Sequence, residues 1–166
     1  MIREVPDYPK PGILFYDITP VLADPGAFSE LLDEMAKPFA GEGIDKVAGI
    51  EARGFILAAS VAERIGAGFI PIRKPGKLPY AVVREEYQLE YGSDALEMHV
   101  DAVTGDDRVL IVDDVLATGG TAAAASRLVA KRGAAVAGVA VFIELGFLGG
   151  RSAIDGVPLH ALVRYD

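Results

Sequence analysis

The sequence predicts an α/β protein: a mostly parallel central sheet flanked by helices, with right-handed crossovers. Three observations carry that prediction. Apolar runs near residues 46, 69, 109, 136 and 159 recur along the chain, the clearest of them without polar alternation, as in parallel strands covered on both faces. Helical patterns are interleaved with them. Two of the runs, ending at Ile50 and Val112, pass almost at once into turns that open helices, the arrangement in which open α/β sheets place ligands.

Residues 1–20 carry Pro6, Pro9, Pro11 and Pro20, a density that predicts an extended arm rather than a helix. Asp24 as N-cap and Pro25 at the first helical position start a helix whose Phe28, Leu31, Leu32, Met35 and Phe39 share one face. A strand follows at Lys46–Ile50, and EARGF (51–55) opens an apolar helix through Ile65, ended by Gly66 and Gly68. Phe69–Ile72 is the next strand. From Leu78 to Gly92 the chain is polar and interrupted; then Leu96, Met98 and Val100 alternate with Glu97, His99 and Asp101, as in an exposed two-stranded ribbon. Residues 74–100 thus read as a mobile lid loop and ribbon that would exclude water from a reactive intermediate. Strands at Val109–Val112, Ala134–Glu144 and Leu159–Val163, with a helix at Ala122–Lys131, complete a single domain spanning 1–166.

The chemistry concentrates in VLIVDDVLATGGT, residues 109–121. Glycines let successive N–H groups converge, and a helix N-terminus adds partial positive charge. Ala117, Thr118, Gly119, Gly120 and Thr121 therefore make a seat for a phosphate monoester, the two threonines adding hydroxyl donors. A Walker-type loop needs lysine after its glycines, and Thr121 stands there instead, which disfavours nucleoside triphosphate hydrolysis. In a continuing strand Asp113 and Asp114 would point to opposite faces, so serving one ligand together requires the chain to leave the strand there. A ribose diol offers two hydroxyls to such a pair, which makes a sugar phosphate the natural ligand; magnesium is a second recipient.

This stretch resembles the phosphoribosyl-diphosphate signature of the type I phosphoribosyltransferases. DYPKPGILFYDITP (7–20), EARGF (51–55), RKPGKLP (73–79), YQLEYGSDALEMHVDA (87–102) and VLIVDDVLATGGTA (109–122) match in order, and RKPGKLP and LEYG are similar to the branch acting on adenine. The resemblance implies transfer of the 5-phosphoribosyl group from phosphoribosyl diphosphate to adenine, giving AMP and pyrophosphate. It also implies magnesium on the diphosphate and a homodimer. It makes the arm a hood over the base, with a backbone contact at Leu14 and a stacking ring at Phe15. Arg53, Lys74 and Lys77 fall to the pyrophosphate, and Arg73 to the partner subunit's site. Glu90, in the lid, falls to a proton on the purine, and Tyr91 to a lid contact. Asp113 and Asp114 hold the ribose, and Ala117 to Thr121 the 5-phosphate. Tyr16 departs from the family's usual arginine, and only six residues precede Asp7; both bear on base recognition. Two alternatives stand beside this: a phosphoribosyltransferase for another purine, and a noncatalytic regulator sensing phosphoribosyl diphosphate.

A net charge of −8 argues against tracking along nucleic acid or an anionic membrane, so an anionic substrate needs a local basic island, which Arg73, Lys74 and Lys77 supply. Absence of cysteine removes thiolate chemistry and cysteine zinc sites. The start, MIREVPDYPKP, lacks a signal-peptide pattern, and the Ala134–Ile143 run is too short to span a bilayer; a cytoplasmic enzyme is expected. His99 and His160 have no metal-ligand spacing and read as structural, and no protein metal site is expected.

Overall fold

A computed structural model describes residues 1–88 and 93–166, without the Gln88 side chain. Its centre is a five-stranded, wholly parallel sheet of β3 (Lys46–Ile50), β4 (Gly68–Ile72), β7 (Arg108–Leu116), β8 (Ala135–Leu145) and β9 (Leu159–Tyr165), ordered β4-β3-β7-β8-β9. The five runs read from the sequence are these five strands. Their unbroken apolar character follows from burial on both sides: Val109, Leu110, Ile111 and Val112 are all fully enclosed.

One face of the sheet packs against α2 (Pro25–Ala36) and α3 (Gly54–Ile65), through Leu31, Met35, Leu57 and Val61 onto Val47, Leu110 and Val112. Helix α2 starts where Asp24 Oδ1 accepts the N–H of Ala27 at 2.8 Å, and Pro25 occupies the position that lacks an intrahelical acceptor anyway. The other face packs against α4 (Gly120–Lys131), whose run of alanines lets the helix lie close over Val109, Ile111 and Val139.

Beside α4 lies an antiparallel pair, β5 (Val82–Gln88) and β6 (Ser93–His99), with Val82 opposite His99 and Gln88 opposite Ser93. This corrects the expectation of an exposed ribbon. Ala95, Leu96, Glu97 and Met98 are all buried, because the pair covers the sheet next to α4 and is tied to it by an Arg73–Glu97 bridge. Alternation of apolar with polar residues reported burial on one face, while Glu97 is buried too by accepting the main-chain N–H of Gly76 at 2.9 Å.

The N-terminal arm is a hairpin, β1 (Arg3–Pro6) against β2 (Leu14–Asp17), followed by the short helix α1 (Thr19–Ala23). A helix here corrects the reading of 1–20 as wholly extended: Pro20 lies in its first turn, where the missing N–H costs nothing. Tyr16 is buried and stacks on Tyr165 of β9, ring centroids 4.1 Å apart and planes at 28°. Burial, then the charges of Glu4 and Tyr165, pushes its hydroxyl above the usual phenol range.

Candidate active site

The carboxyl ends of β3, β4 and β7 gather four segments: the turn 51–53, residues 73–77, the acidic pair 113–114 and the loop 117–121. The chain does not leave the strand at the acidic pair, contrary to the expectation from shared use of one ligand; β7 runs on to Leu116. Its alternation of faces slips instead. Leu110 and Val112 face α3, Val109 and Ile111 face α4, yet Val115 sits on the α3 side and Leu116 on the α4 side, the reverse of strict alternation. Phe142 and Ile143 of neighbouring β8 both join the α3 side at the same level. Asp113 and Asp114 occupy the slip.

Asp113 lines a cavity of about 80 Å³ with Ala117, Thr118, Gly119, Gly120 and Thr121. Burial first, and repulsion from Asp114 second, push its carboxyl well above the ordinary carboxylate range. Its Oδ1 accepts the N–H of Asp114 at 2.9 Å. There is no room for a side chain at residue 54: a methyl on Gly54 would come within 2.7 Å of that same oxygen. Among the described residues, none accepts from the N–H groups of Thr118, Gly119, Gly120 or Thr121 at the start of α4. Four free donors and the helix's positive end therefore converge beside a carboxyl, a seat for an anion carrying hydroxyls.

Asp114 is buried on its own and pairs with Arg53, whose Nε lies 2.5 Å from Oδ2 without the alignment of a hydrogen bond. The Arg53 guanidinium carbon in turn lies 5.0 Å from the centre of the Phe15 ring, and Tyr8 meets that ring edge-on at 5.2 Å. Arg53 thus links the acidic pair to the N-terminal hairpin. Leu14, beside Phe15, is exposed.

The basic cluster is already paired within the chain. Glu51 accepts from Lys77 Nζ at 2.6 Å, from Arg73 Nε at 3.2 Å and from the Lys74 main-chain N–H at 2.8 Å. Burial opposes its ionisation, but the Lys77 and Lys74 hydrogen bonds and the charges of Lys77 and Arg73 outweigh it and hold Glu51 below the usual range. Lys74 binds Asp94 and, at 2.8 Å, the Tyr87 hydroxyl. Burial works against the Lys74 charge, yet these two partners raise its pKa. Glu51 stood inside EARGF unremarked; three cations in an acidic protein were a signal that a carboxylate must answer them. Asp94 and Tyr87 face each other only through the ribbon register, and nothing local announces them.

Glu90 and Tyr91 lie outside the described residues. His160 Nε2 sits 3.2 Å from the Glu34 carbonyl oxygen, away from this site. No group of three acidic, imidazole or thiol side chains able to hold a metal occurs among the described residues. No helix among them is long and apolar enough to cross a membrane.

The family described as phosphoribosyl transferase domain matches residues 26–152, and the chain belongs to it. It is 58% identical over 166 residues to adenine phosphoribosyltransferase of Streptomyces coelicolor, covering 98% of this chain and 91% of that one. It is 56% identical over 164 residues to the adenine phosphoribosyltransferase of Anaeromyxobacter dehalogenans, covering 99% and 95%. The adenine phosphoribosyltransferase structure from Rhodothermus marinus superposes with a TM-score of 0.95 at 52% identity, covering 99% of this chain and 94% of that one. That from Saccharomyces cerevisiae, complexed with an imino-altritol bisphosphate and adenine, gives 0.92 at 39% identity, covering 97% and 93%. Within the family, the place of this chain is therefore among the adenine phosphoribosyltransferases.

Proposed function

We propose that this chain transfers the 5-phosphoribosyl group of phosphoribosyl diphosphate to adenine, releasing AMP and pyrophosphate, as a purine-salvage enzyme. The observation that carries the reading is where β7 places its two carboxyls. Asp113 lines the cavity with 117–121, while Asp114, on the next position of the strand, pairs with Arg53, which reaches the Phe15 ring. A sugar held between them presents its 5-phosphate to one side and its anomeric carbon to the base.

In this reading Ala117 to Thr121 grip the 5-phosphate while Asp113 and Asp114 hold the ribose hydroxyls. Burial and the neighbouring Asp114 raise the Asp113 carboxyl, so its proton is held more tightly there than in water. Phe15 stacks on adenine and Leu14 offers its main chain. The purine nitrogen forms a bond to the anomeric carbon as the bond from that carbon to the diphosphate oxygen breaks, and its electron pair leaves with pyrophosphate. Alignment of base and sugar supplies much of the rate, and Arg53, Lys74 and Lys77 stabilise the departing charge. Their carboxylate partners Asp114, Asp94 and Glu51 hold those cations oriented until the diphosphate arrives. Glu90 handles the purine proton and Tyr91 contacts the bound substrate.

We also propose that magnesium arrives on the diphosphate, where it would neutralise charge on the leaving group, with the nearby Asp113 and Asp114 reaching it through water. We further propose a homodimer, supported by exposed apolar side chains at Ile13, Ile56 and Phe69, with Arg73 serving the partner's site. A cytoplasmic location follows from a substrate too highly charged to cross a bilayer unaided.

Turnover with phosphoribosyl diphosphate and magnesium, measured against adenine, hypoxanthine, guanine and xanthine, tests the reading. Adenine is expected to be used best. Equal or better use of another base would reject it.

A further inference from the structure

Helix α4 is entered through a loop whose backbone touches a second turn, Gly150–Ile154, with no side chain between them. Gly119 has φ +81°, and a methyl there would overlap the Gly150 carbonyl oxygen and come within 2.7 Å of Ala153 Cβ. A methyl on Gly150 would overlap the Ala117 carbonyl oxygen and approach the Gly119 nitrogen at 3.0 Å. The two backbones are interlocked, so the direction of the amides at 118–121 depends on where the second turn sits.

That turn is held at both ends. Ile154 is buried in the core under α4. Arg151 grips Glu144, its Nε 2.6 Å from Oε1 and its Nη2 2.6 Å from Oε2, a two-pronged fork; Arg164 Nη1 stands 3.7 Å from Oε1. Glu144 is 2% exposed, an unusual place for a carboxylate at the end of a strand. In the sheet register Glu144 is the partner of Leu116, the residue from which the 117–121 loop departs. The contacts therefore close a ring, from Leu116 through the loop to Gly119, across to Gly150, along to Arg151, and back through Glu144 to Leu116. Neither Glu144 nor Arg151 lines the cavity.

We propose that the Glu144–Arg151 pair is a positioning clamp that sets the amides of the phosphate seat through the Gly119–Gly150 contact, a role that rests on reading 117–121 as the 5-phosphate site. An arginine fork fixes both position and rotation of the turn, whereas a lysine would fix only a distance.

The test is Arg151→Lys, which keeps the charge and loses the fork, with Gly150→Ala as an independent route to the same displacement should the first variant fold poorly. Binding of ribose 5-phosphate, pyrophosphate and adenine is measured by calorimetry, with the KM for each substrate alongside. Both variants are expected to weaken ribose 5-phosphate and raise the KM for phosphoribosyl diphosphate by about ten- to a hundredfold, with pyrophosphate affinity and the adenine KM within about twofold of the parent. Equal weakening of all three ligands, or a fall in melting temperature with unchanged affinities, would overturn the clamp. Thr121→Val separates the two readings. If it leaves ribose 5-phosphate binding unchanged, the seat is misassigned and the clamp falls with it. If it weakens binding while Arg151→Lys does not, only the clamp fails.

Discussion

Replacing Glu51 by Gln removes one charge from the point where three parts of the basic segment meet. Two ion pairs are lost, to Lys77, about half exposed, and to Arg73, about a third exposed, each worth about 0.2–1 kcal/mol after solvent screening. The Lys74 main-chain donor keeps an oxygen to bind, but a hydrogen bond to a neutral amide is weaker than one to a carboxylate by roughly 1 kcal/mol. Part of this is returned because an amide is less costly to bury than an anion. The net loss should be about 1–2 kcal/mol, which for a chain of this size lowers the melting temperature by about 2–8 °C. Because hydrogen bonds and neighbouring cations hold Glu51 below its ordinary range, its stabilisation is complete above the unfolded value, near about 4.3, and is lost as pH falls through the lower folded value. Urea titrations of both proteins at several values between pH 3 and 7 should therefore show a gap in midpoint at neutral pH that closes in acid. A gap that is absent at pH 7, or unchanged at pH 3, would refute the account of Glu51 as an ionised tether.

Asp113→Asn should act in the opposite direction. A carboxyl whose proton is held more tightly in the fold than in the unfolded chain favours folding at low pH and penalises it as pH rises through the folded value. The variant should thus melt higher than the parent at pH 8 and equally at pH 3, as calorimetric scans would report. The same change combined with Asp114→Asn should weaken AMP binding at least about tenfold while leaving the circular dichroism spectrum intact; unchanged affinity would remove the ribose role. Phe15→Ala should raise the KM for adenine and leave that for phosphoribosyl diphosphate within about twofold, a split that steady-state kinetics would resolve. Leu57→Ala, in the fully enclosed layer between α3 and the sheet, should cost about 2–5 kcal/mol by denaturant titration without altering either KM at low temperature.

The sheet was legible because doubly covered strands leave an unbroken apolar signature, and Lys46–Ile50 matches its predicted bounds to the residue. The turn at 117–121 was legible for a different reason: small residues there answer a local geometric demand, visible at Gly119. What escaped was long-range. Glu51 meets Lys77 across 26 positions and Arg73 across 22, and no window of sequence holds such a pair. The burial of β6 escaped because Glu97 reads as a solvent-facing residue until the Gly76 amide is placed beside it. Tyr16, an apparent loss of an arginine, proved to be an aromatic anchor once Tyr165 lay against it, and Tyr165 stands nearly 150 positions away.

The half-step in β7 makes the identity of each acidic residue a matter of counting. Upstream of it, every position is assigned to a side by parity, so deleting one residue between Arg108 and Val112 would move Asp114 into the place of Asp113 and Asp113 into that of the enclosed Val112, even though both letters survived. Conservative replacement of the aliphatic residues there preserves the count; a one-residue gap does not, and no repair within the downstream loop restores it.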